Sequence, residues 1–410
     1  MLRWLLPLIL LAVLEFYSFQ AVRTITKSKI ILFVYLAVTV VVVLFLVYQF
    51  SQFDRGVGQT TKTMATMGLF LIFTIPKIII GMVLFGEDIF RFIKAIIVYF
   101  VGDNNEGSFL PSRRRFVSQM ALGIASIPFA SLLYGMTIGK YNFKVIKQTI
   151  FFDDLPPSFD GTTITHLSDI HSGSFDDAGK INYAIDLINQ QNSDIVLFTG
   201  DIVNTHAKEM HPWIDVFKKI HQPVLGKYSI LGNHDYGEYV TWDSDQEKED
   251  NFLAVKDLHR QIDFNLLLNQ NIEITKSNES IKIIGVENWG KHFKKAGDLE
   301  LASKGVLKED FKILMSHDPS HWNDQVQYHE LHYQLTLSGH THGLQFGIEI
   351  PGWFKWSPVQ YVYKQWAGLY ENKGRYLYVN RGFGFHAYPG RVGIMPEITV
   401  ITLKKGKKVA

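Results

Sequence analysis

The 410-residue chain contains no cysteine. This absence excludes disulfide bonds and metal sites built from thiolates, and it fits a location on either side of a membrane. The chain also has little excess charge, because 41 Lys and Arg residues face 39 Asp and Glu residues, for a net charge of +2. A balanced chain carries no basic footprint, so no nucleic-acid partner is expected.

The first third of the chain lacks histidine, since all fifteen histidines lie at or after His166. Nearly all the long apolar runs, by contrast, lie before Tyr134. A chain of this length normally forms more than one domain. The two compositions predict a membrane region followed by a separate, histidine-bearing domain.

We predict four membrane segments in the first region. The clearest is the second, which carries no charge and has the roughly 20 residues that a bilayer crossing needs. A further apolar stretch is interrupted by Arg91 and Lys94, which is typical of an interfacial helix. The four segments are Leu5–Phe19, Ile30–Phe50, Met67–Phe85 and Phe116–Met136, and the interfacial stretch is Ile89–Val101.

Lys77 is a cation inside the third segment. An intramembrane charge can mark an ion path, but it can also lie near a helix end and extend toward the interface. We favour the second interpretation, because no acidic partner is expected for Lys77 within these segments. A transporter or sensor function is disfavoured for the same reason.

Basic residues predict the orientation, because cytoplasmic loops collect Lys and Arg. Arg23, Lys27 and Lys29 lie between the first two segments, and Arg113–Arg115 precede the fourth. Placing both groups in the cytoplasm puts the C-terminal half outside it. Ser112–Val117 also resembles an internal twin-arginine export signal, although we favour a plain cytoplasmic cluster.

The second half alternates apolar strands with polar, helix-like stretches such as 177–190 and 251–261. This alternation predicts an α/β fold, with ligands at the carboxyl ends of strands. The predicted strands are Thr163–Leu167, Ile195–Thr199, Tyr228–Leu231, Ile281–Val286, Lys312–Met315, Leu335–Leu337 and Tyr376–Val379.

Polar motifs follow five of these strands. Each is weak alone, since Asp-x-His and Gly-Asp are common in turns. Together they supply oxygen and imidazole nitrogen without sulfur, which is the ligand set of a site for two divalent metals. The motif residues are Asp169, His171, Asp201, Asn233, His317, His340 and His342.

The order Asp-x-His, Gly-Asp, Gly-Asn-His-Asp, His and Gly-His-x-His resembles the calcineurin-like metallophosphoesterase family, over roughly Thr163 to Leu403. The resemblance implies an α/β sandwich of two mixed sheets flanked by helices. We therefore expect a membrane region at 1–140, a linker at 141–160 and a metallophosphoesterase domain at 161–410. A later stretch, 379–398, is similar to the membrane-anchored bacterial branch, which implies the inner membrane.

The resemblance also implies two metal-binding sets that share Asp201. Mn²⁺, Zn²⁺ and Fe²⁺ all suit such mixed oxygen and nitrogen ligands. The first set is Asp169, His171, Asp201 and His342, and the second is Asp201, Asn233, His317 and His340.

The implied reaction is attack on phosphorus by a hydroxide that bridges the two metals. His234 would protonate the leaving oxygen, and Asp235 or a carboxylate near Asp201 would orient His234 through its other nitrogen. Arg381 follows a predicted strand, and its planar fork suits a phosphate oxygen. A surface or structural arginine is the alternative for Arg381.

These expectations describe a membrane-anchored phosphoesterase acting on phosphate mono- or diesters. Lipid-linked phosphates and pyrophosphates are candidate substrates, because the tether confines the site near a bilayer. The aromatic stretch Trp353–Trp356, with Tyr361, Tyr363 and Trp366, suits an interfacial belt or, alternatively, packing under a loop. A catalytically silent, metal-binding interaction module is the alternative function.

Overall fold

The computed structural model describes residues 2–101, 111–350 and 352–407. They divide into two compact units. The first consists of four long helices, without the first turn of the third and the last turn of the fourth. The second holds the strands and also takes in the segment Asp54–Met64, which follows the second helix and includes the first turn of the third. The helices of the first unit are α1 (Leu2–Ile25), α2 (Lys29–Ser51), α3 (Thr61–Val101) and α4 (Pro111–Thr137).

Among the described residues, three helices are long and apolar enough to cross a membrane: Lys29–Ser51, Thr61–Phe100 and Arg113–Thr137. The segment predicted at Leu5–Phe19 lies within α1. The stretch predicted as a separate interfacial helix, Ile89–Val101, instead continues α3. At 1.5 Å per residue, the 41 residues of α3 extend for about 60 Å, roughly twice the hydrocarbon thickness of a bilayer.

Lys77 is not the unpaired cation that the sequence suggested. Its ammonium group forms an ion pair with Glu15 of α1. The same carboxylate accepts hydrogen bonds from Tyr35, at 2.5 Å, and from Thr39, at 3.1 Å. The expectation that Lys77 has no acidic partner is therefore wrong, and this polar group links three helices of the first unit.

Two of the arginines near the start of α4 are also paired. Arg114 donates to the carboxylate of Asp88 at 2.9 Å, and Arg113 lies 4.0 Å from Glu87. Both acidic residues belong to α3. The positive charge of this cluster is therefore partly compensated by acidic neighbours within the same unit.

The second unit contains two six-stranded mixed sheets and a separate two-stranded ribbon, β10–β11. The strand order is β1-β14-β2-β3-β4-β5 in sheet A and β12-β13-β9-β8-β7-β6 in sheet B. The strands are β1 (Lys144–Phe152), β2 (Thr163–Leu167), β3 (Ile195–Phe198), β4 (Lys227–Ser229), β5 (Asn265–Leu266), β6 (Gln270–Lys276), β7 (Glu279–Gly285), β8 (Lys312–Met315), β9 (Leu335–Ser338), β10 (Ile348–Ile350), β11 (Phe354–Trp356), β12 (Gly368–Asn372), β13 (Arg375–Val379) and β14 (Glu397–Lys405).

The central strands are buried on both faces, because side chains alternate between two cores. In β3, Leu197 lies in the core between the sheets, whereas Val196 and Phe198 pack in the core beneath the helices. In β8, Met315 lies in the core between the sheets, whereas Leu314 packs in a separate core on the opposite face of sheet B. The result is a sandwich with helical layers outside both sheets. The helices of this unit are α5 (Ala178–Asn189), α6 (Ile214–Phe217), α7 (Asp245–Gln261), α8 (Leu299–Ala302) and α9 (Ser320–Asp324).

The structure differs from the predicted linker at 141–160. Residues Lys144–Phe152 form β1, which pairs in parallel with β14 over nine residues. The strand lies at the edge of sheet A, and only Ile150 and Phe152 are fully buried. Its remaining side chains are at least partly accessible to solvent, so the segment lacked the apolar run that marks the central strands.

Candidate metal centre

The predicted metal ligands lie in loops that follow the central parallel strands of both sheets. In sheet A, these loops follow β2, β3 and β4, which are adjacent and parallel. In sheet B, they follow β8 and β9, which are also adjacent and parallel. Sheet A contributes Asp169, His171, Asp201 and Asn233, and sheet B contributes His317, His340 and His342.

One half of the cluster surrounds His171. Its Nε2 atom lies 3.0 Å from Nε2 of His342 and 3.6 Å from Oδ2 of Asp201. The Nε2 atom of His342 also lies 3.2 Å from Oδ1 of Asp169. These four side chains come from both sheets, and their potential ligand atoms face one another.

The other half surrounds His317. Its Nε2 atom lies 3.2 Å from Oδ2 of Asp201 and 3.2 Å from Oδ1 of Asn233. Nδ1 of His340 lies 2.7 Å from the same Asn233 oxygen. Asp201 therefore faces both halves of the cluster, as a bridging ligand must. The structure brings all seven predicted ligands together.

The tautomers of two histidines are fixed by hydrogen bonds outside the cluster. Nδ1–H of His317 donates to the Thr199 carbonyl at 2.7 Å, and Nδ1–H of His171 donates to Oδ1 of Asn204 at 3.0 Å. When the rings are neutral, the Nε2 lone pairs of both are then directed into the cluster. This is the usual arrangement around histidines that bind metals.

Five of the seven ligands adopt left-handed backbone conformations. Their φ angles lie between 48° and 71°, a region that non-glycine residues seldom occupy. Such conformations cost about 1–3 kcal/mol each, and they concentrate at functional sites. The five residues are Asp169, His171, Asp201, His340 and His342.

Two motif glycines leave room for the carboxylates. A Cβ atom on Gly339 would lie 2.2 Å from Oδ2 of Asp169, and one on Gly232 would lie 2.2 Å from Oδ1 of Asp201. Any larger residue would displace a ligand. Glycine is required here for close approach, which explains why these motifs begin with it.

The charges of the cluster also fit divalent cations. Burial lowers the pKa of His171 and His340, so both rings are neutral near pH 7. Burial opposes protonation of His317 as well, but the facing carboxylates of Asp201 and Asp169 raise its pKa to about 10. The proton on His317 thus offsets the negative charge of Asp201 and Asp169, which a bound metal ion would otherwise neutralise. Carboxylate, amide and imidazole donors without sulfur suit Mn²⁺, Fe²⁺ or Zn²⁺.

His234 lies beside the cluster, where its ring stacks on Tyr239 at 4.4 Å and meets the ring of His386 at 4.6 Å. Nδ1–H of His234 donates to the backbone carbonyl of Asn204 at 2.7 Å. This carbonyl, rather than the carboxylate of Asp235, orients the imidazole.

Asp235 has a different contact set from the one predicted. Its buried carboxylate accepts hydrogen bonds from the backbone N–H groups of Gly232, Asp201 and Ile202, at 2.8–2.9 Å. These bonds join the loop after β3 to the loop after β4. The position favours a structural role in holding Asp201 and Asn233 together.

The structure places Arg381 in ion pairs. Its guanidinium group contacts Glu397 on one side and Glu349 on the other, with an Nε–Oε2 distance of 3.0 Å to Glu349. The guanidinium N–H groups that were predicted to bind phosphate therefore pair with carboxylates of the protein. The contacts support the alternative, a structural arginine.

Several residues near the centre escaped the sequence analysis. Asn204, which contacts both His171 and His234, follows Asp201 by three positions, and that spacing was an available signal. The hydroxyl of Tyr363 lies 2.8 Å from Nε2 of His340. Asp318 directly follows His317, and Tyr239 follows His234 by five positions. His386 and Arg391 come from a distant loop without a motif.

Two family models match the chain. Residues 162–344 match the family described as calcineurin-like phosphoesterase, which includes every predicted ligand. Residues 2–140 match the family described as probable calcineurin-like phosphoesterase, transmembrane domain. Together the two models match most of the chain to the calcineurin-like phosphoesterases. The predicted fold class is confirmed, and so is the presence of a transmembrane region in this metallophosphoesterase.

Similar proteins occur in bacteria and in vertebrates. The chain is 29% identical to the uncharacterized metallophosphoesterase YkuE of Bacillus subtilis, over 72% of this chain and 98% of YkuE. It is 28% identical to the phosphodiesterase YaeI of Escherichia coli, over 71% and 99%. It is 27% identical to a transmembrane protein with metallophosphoesterase domain of Danio rerio, over 67% of this chain and 60% of that protein.

Proposed function

We propose that this metallophosphoesterase hydrolyses phosphate mono- or diesters with two divalent metal ions. The observation that carries the proposal is the convergence of His and Asp side chains in overlapping groups whose ligand atoms lie within 4.8 Å of one another. Two groups consist of predicted ligands, Asp169 with His171 and His342, and Asp169 with Asp201 and His317, and a third brings His234 next to His171 and Asp201. The name of the similar YaeI protein, a phosphodiesterase, favours diesters.

Each half of the cluster would hold one ion, and Asp201 would belong to both. When bound, two neighbouring divalent ions lower the pKa of water and neutralise charge on the phosphate oxygens. The first ion would take Asp169, His171, Asp201 and His342, and the second would take Asp201, Asn233, His317 and His340.

His234 would act as the general acid. As water adds to phosphorus it gives up a proton, the bond to the leaving oxygen breaks, and that oxygen would take a proton from Nε2 of His234. Because Nδ1–H is held by the Asn204 carbonyl, the ring donates from its doubly protonated form, against the burial that lowers its pKa. The Asn204 carbonyl holds the opposite nitrogen and so fixes the direction of the ring. General acid catalysis of this kind contributes about 10²–10⁴-fold to the rate.

The test uses the full chain in detergent, because β1 and the segment Asp54–Met64 belong to the second unit and a 160–410 fragment would lack both. With Mn²⁺, we expect hydrolysis of bis-p-nitrophenyl phosphate and p-nitrophenyl phosphate, and its loss on addition of a chelator. A protein that retains two metal ions and turns over neither substrate would establish the alternative, a silent interaction module. A panel of lipid pyrophosphates and nucleotide diesters would then narrow the substrate.

We further propose that the protein lies in a bacterial inner membrane, with its catalytic unit outside the cytoplasm. The support is the basic group at the junction of α1 and α2, formed by Arg23 in the last turn of α1, Lys27 between the helices and Lys29 at the start of α2. Because the chain has no cysteine, single substitutions can be labelled cleanly. A membrane-impermeant maleimide should label Lys373→Cys from outside the cell and leave Lys27→Cys unlabelled. The reverse pattern would invert the orientation.

A further inference from the structure

The two-stranded ribbon lies outside both sheets and has an inverted pattern of polarity. Its strands, β10 and β11, pair antiparallel, so that Glu349 lies opposite Lys355. Successive side chains on a strand point to opposite faces. The ribbon therefore has one face formed around this charged pair and another formed by the apolar residues on either side of it.

The charged face turns toward the protein. Glu349 accepts a hydrogen bond from Nε of Arg381 at 3.0 Å. Lys355 donates to the Ala367 carbonyl at 2.6 Å and to the hydroxyl of Tyr370 at 3.2 Å. These contacts fix the orientation of the ribbon and leave its apolar face outward.

The apolar face is exposed. A sheet in water normally directs its polar side chains outward, so the ribbon reverses the expected order. Trp353 at the turn is 82% exposed, and Tyr361, which follows the ribbon, is 78% exposed. The exposed residues, here called the ribbon surface, are Ile348, Ile350, Trp353, Phe354, Tyr361 and Val362.

The ribbon surface is connected at both ends to metal ligands. The chain reaches β10 directly from the turn that holds His342. At the other end, Val362 precedes Tyr363, whose hydroxyl contacts His340. The base of the ribbon is held rigidly, because N–H of Gly347 donates to the Val392 carbonyl at 2.9 Å.

We propose that the ribbon surface inserts into the headgroup layer of the bilayer that the helices of this chain cross. Exposed apolar patches mark a binding partner, and Trp and Tyr are enriched at membrane interfaces. The bilayer is within reach of the second unit, because α4 ends at Thr137 and β1 begins at Lys144. A membrane is thus the one apolar partner that the chain itself brings near.

The consequence for the substrate rests on the proposed phosphoesterase function. The rim of the site would lie at the depth of lipid phosphates, so an ester anchored in the bilayer would reach the metals without leaving the membrane. A soluble ester would gain nothing from the ribbon surface.

Insertion is tested with the full chain in phosphatidylcholine vesicles. Trp353→Cys carries an environment-sensitive fluorophore, and Tyr328→Cys, at another exposed position of the second unit, is the matched control. We expect lipids bearing a nitroxide near the headgroup to quench the label at 353 at least about twofold more strongly than the label at 328. Equal quenching overturns the proposal. A label at 353 that becomes protected as the amount of protein per vesicle rises, with no response to the nitroxide lipid, also overturns the proposal. It would indicate that a second copy of the chain covers the ribbon surface.

Activity tests the consequence separately. The double variant Trp353→Ser/Phe354→Ser should lose about tenfold in turnover of an alkyl-anchored p-nitrophenyl diester in vesicles and keep its rate on soluble bis-p-nitrophenyl phosphate. Val224→Ser/Tyr328→Ser, which removes exposed apolar residues elsewhere in the unit, should change neither rate. Absence of turnover on both substrates contradicts the phosphoesterase function, whereas quenching still decides insertion.

Discussion

The two sheets contribute different chemistry to the same centre. Sheet A provides both carboxylates and the amide, together with one imidazole, whereas sheet B provides three imidazoles. The negative charge that attracts cations therefore comes from one sheet, and most of the nitrogen donors come from the other. Neither sheet carries a complete site, so the bound metals would also fasten the two sheets together.

The largest effect should come from the residue that faces both halves. Asp201→Asn keeps the shape of the side chain but removes its charge, so we expect the protein to lose metal. Because each ion stabilises the transition state by several kcal/mol, kcat/KM should fall at least about 10⁴-fold. Metal analysis and diester hydrolysis measure both. The exposed Asp186→Asn is the control, and a variant at 201 that retains two ions would contradict the bridging role.

His234→Ala separates catalysis from metal binding. The ring lies beside the cluster and is not one of the seven predicted ligands, so we expect kcat to fall about 10²–10⁴-fold with the metal content unchanged. A leaving group of low pKa needs less protonation, so the loss should shrink with better leaving groups. An unchanged rate on a poor leaving group would remove His234 from the mechanism.

A smaller effect compares the two sheets through buried histidines. His259 bonds to Ser229 of sheet A and His321 bonds to Ser316 after β8 of sheet B, both at 2.8 Å. Burial lowers the pKa of these rings to about 3 and about 4. Below about pH 6.5, the unfolded chain takes up protons on these two rings and the folded chain does not. The free energy of unfolding therefore decreases as the pH is lowered, by about 1.4 kcal/mol per pH unit for each ring.

Replacing either ring tests this linkage. His259→Asn or His321→Asn should flatten the dependence of stability on pH between about pH 6 and 4, while the exposed His221→Asn should leave it unchanged. The measurement is the midpoint of thermal unfolding in detergent at several pH values. If the unfolding midpoint changes with pH in the same way for the unsubstituted protein and for every variant, these rings are protonated in the folded protein.

The smallest effect concerns Gln59, in the segment between α2 and α3. Its side chain donates to Ser174 at 3.1 Å and accepts from N–H of Ala387 at 2.7 Å, next to His386. Two hydrogen bonds contribute about 1–3 kcal/mol in total, part of which positions the loop after β2. We expect Gln59→Ala to lower kcat up to about tenfold, Gln246→Ala to have no effect, and Gln59→Asn to fail to restore the rate.

The sequence identified the central strands because their character is local. Lys312–Met315 is observed as predicted, and Leu335–Ser338 extends the prediction by one residue. A short apolar run followed by Asp, Asn or His marks a buried parallel strand that ends at a site. The convergence of the candidate metal ligands was predictable for the same reason, since each motif follows its strand closely.

The rest depended on tertiary contacts. β1 is an edge strand whose partner lies at the far end of the sequence, so no local pattern revealed it. Glu15 and Lys77 meet across helices, and Asn204 acts partly through its backbone carbonyl. The sequence showed no partner for the guanidinium group of Arg381, whereas in the fold Glu349 and Glu397 form ion pairs with it.

The position of β14 has a consequence for biosynthesis. This strand separates β1 from β2, so the earliest strand of the catalytic unit acquires its neighbour only when residues 397–405 have left the ribosome. Contacts this distant along the chain form slowly. A translation product interrupted before residue 397 would carry every candidate metal ligand and still leave sheet A open.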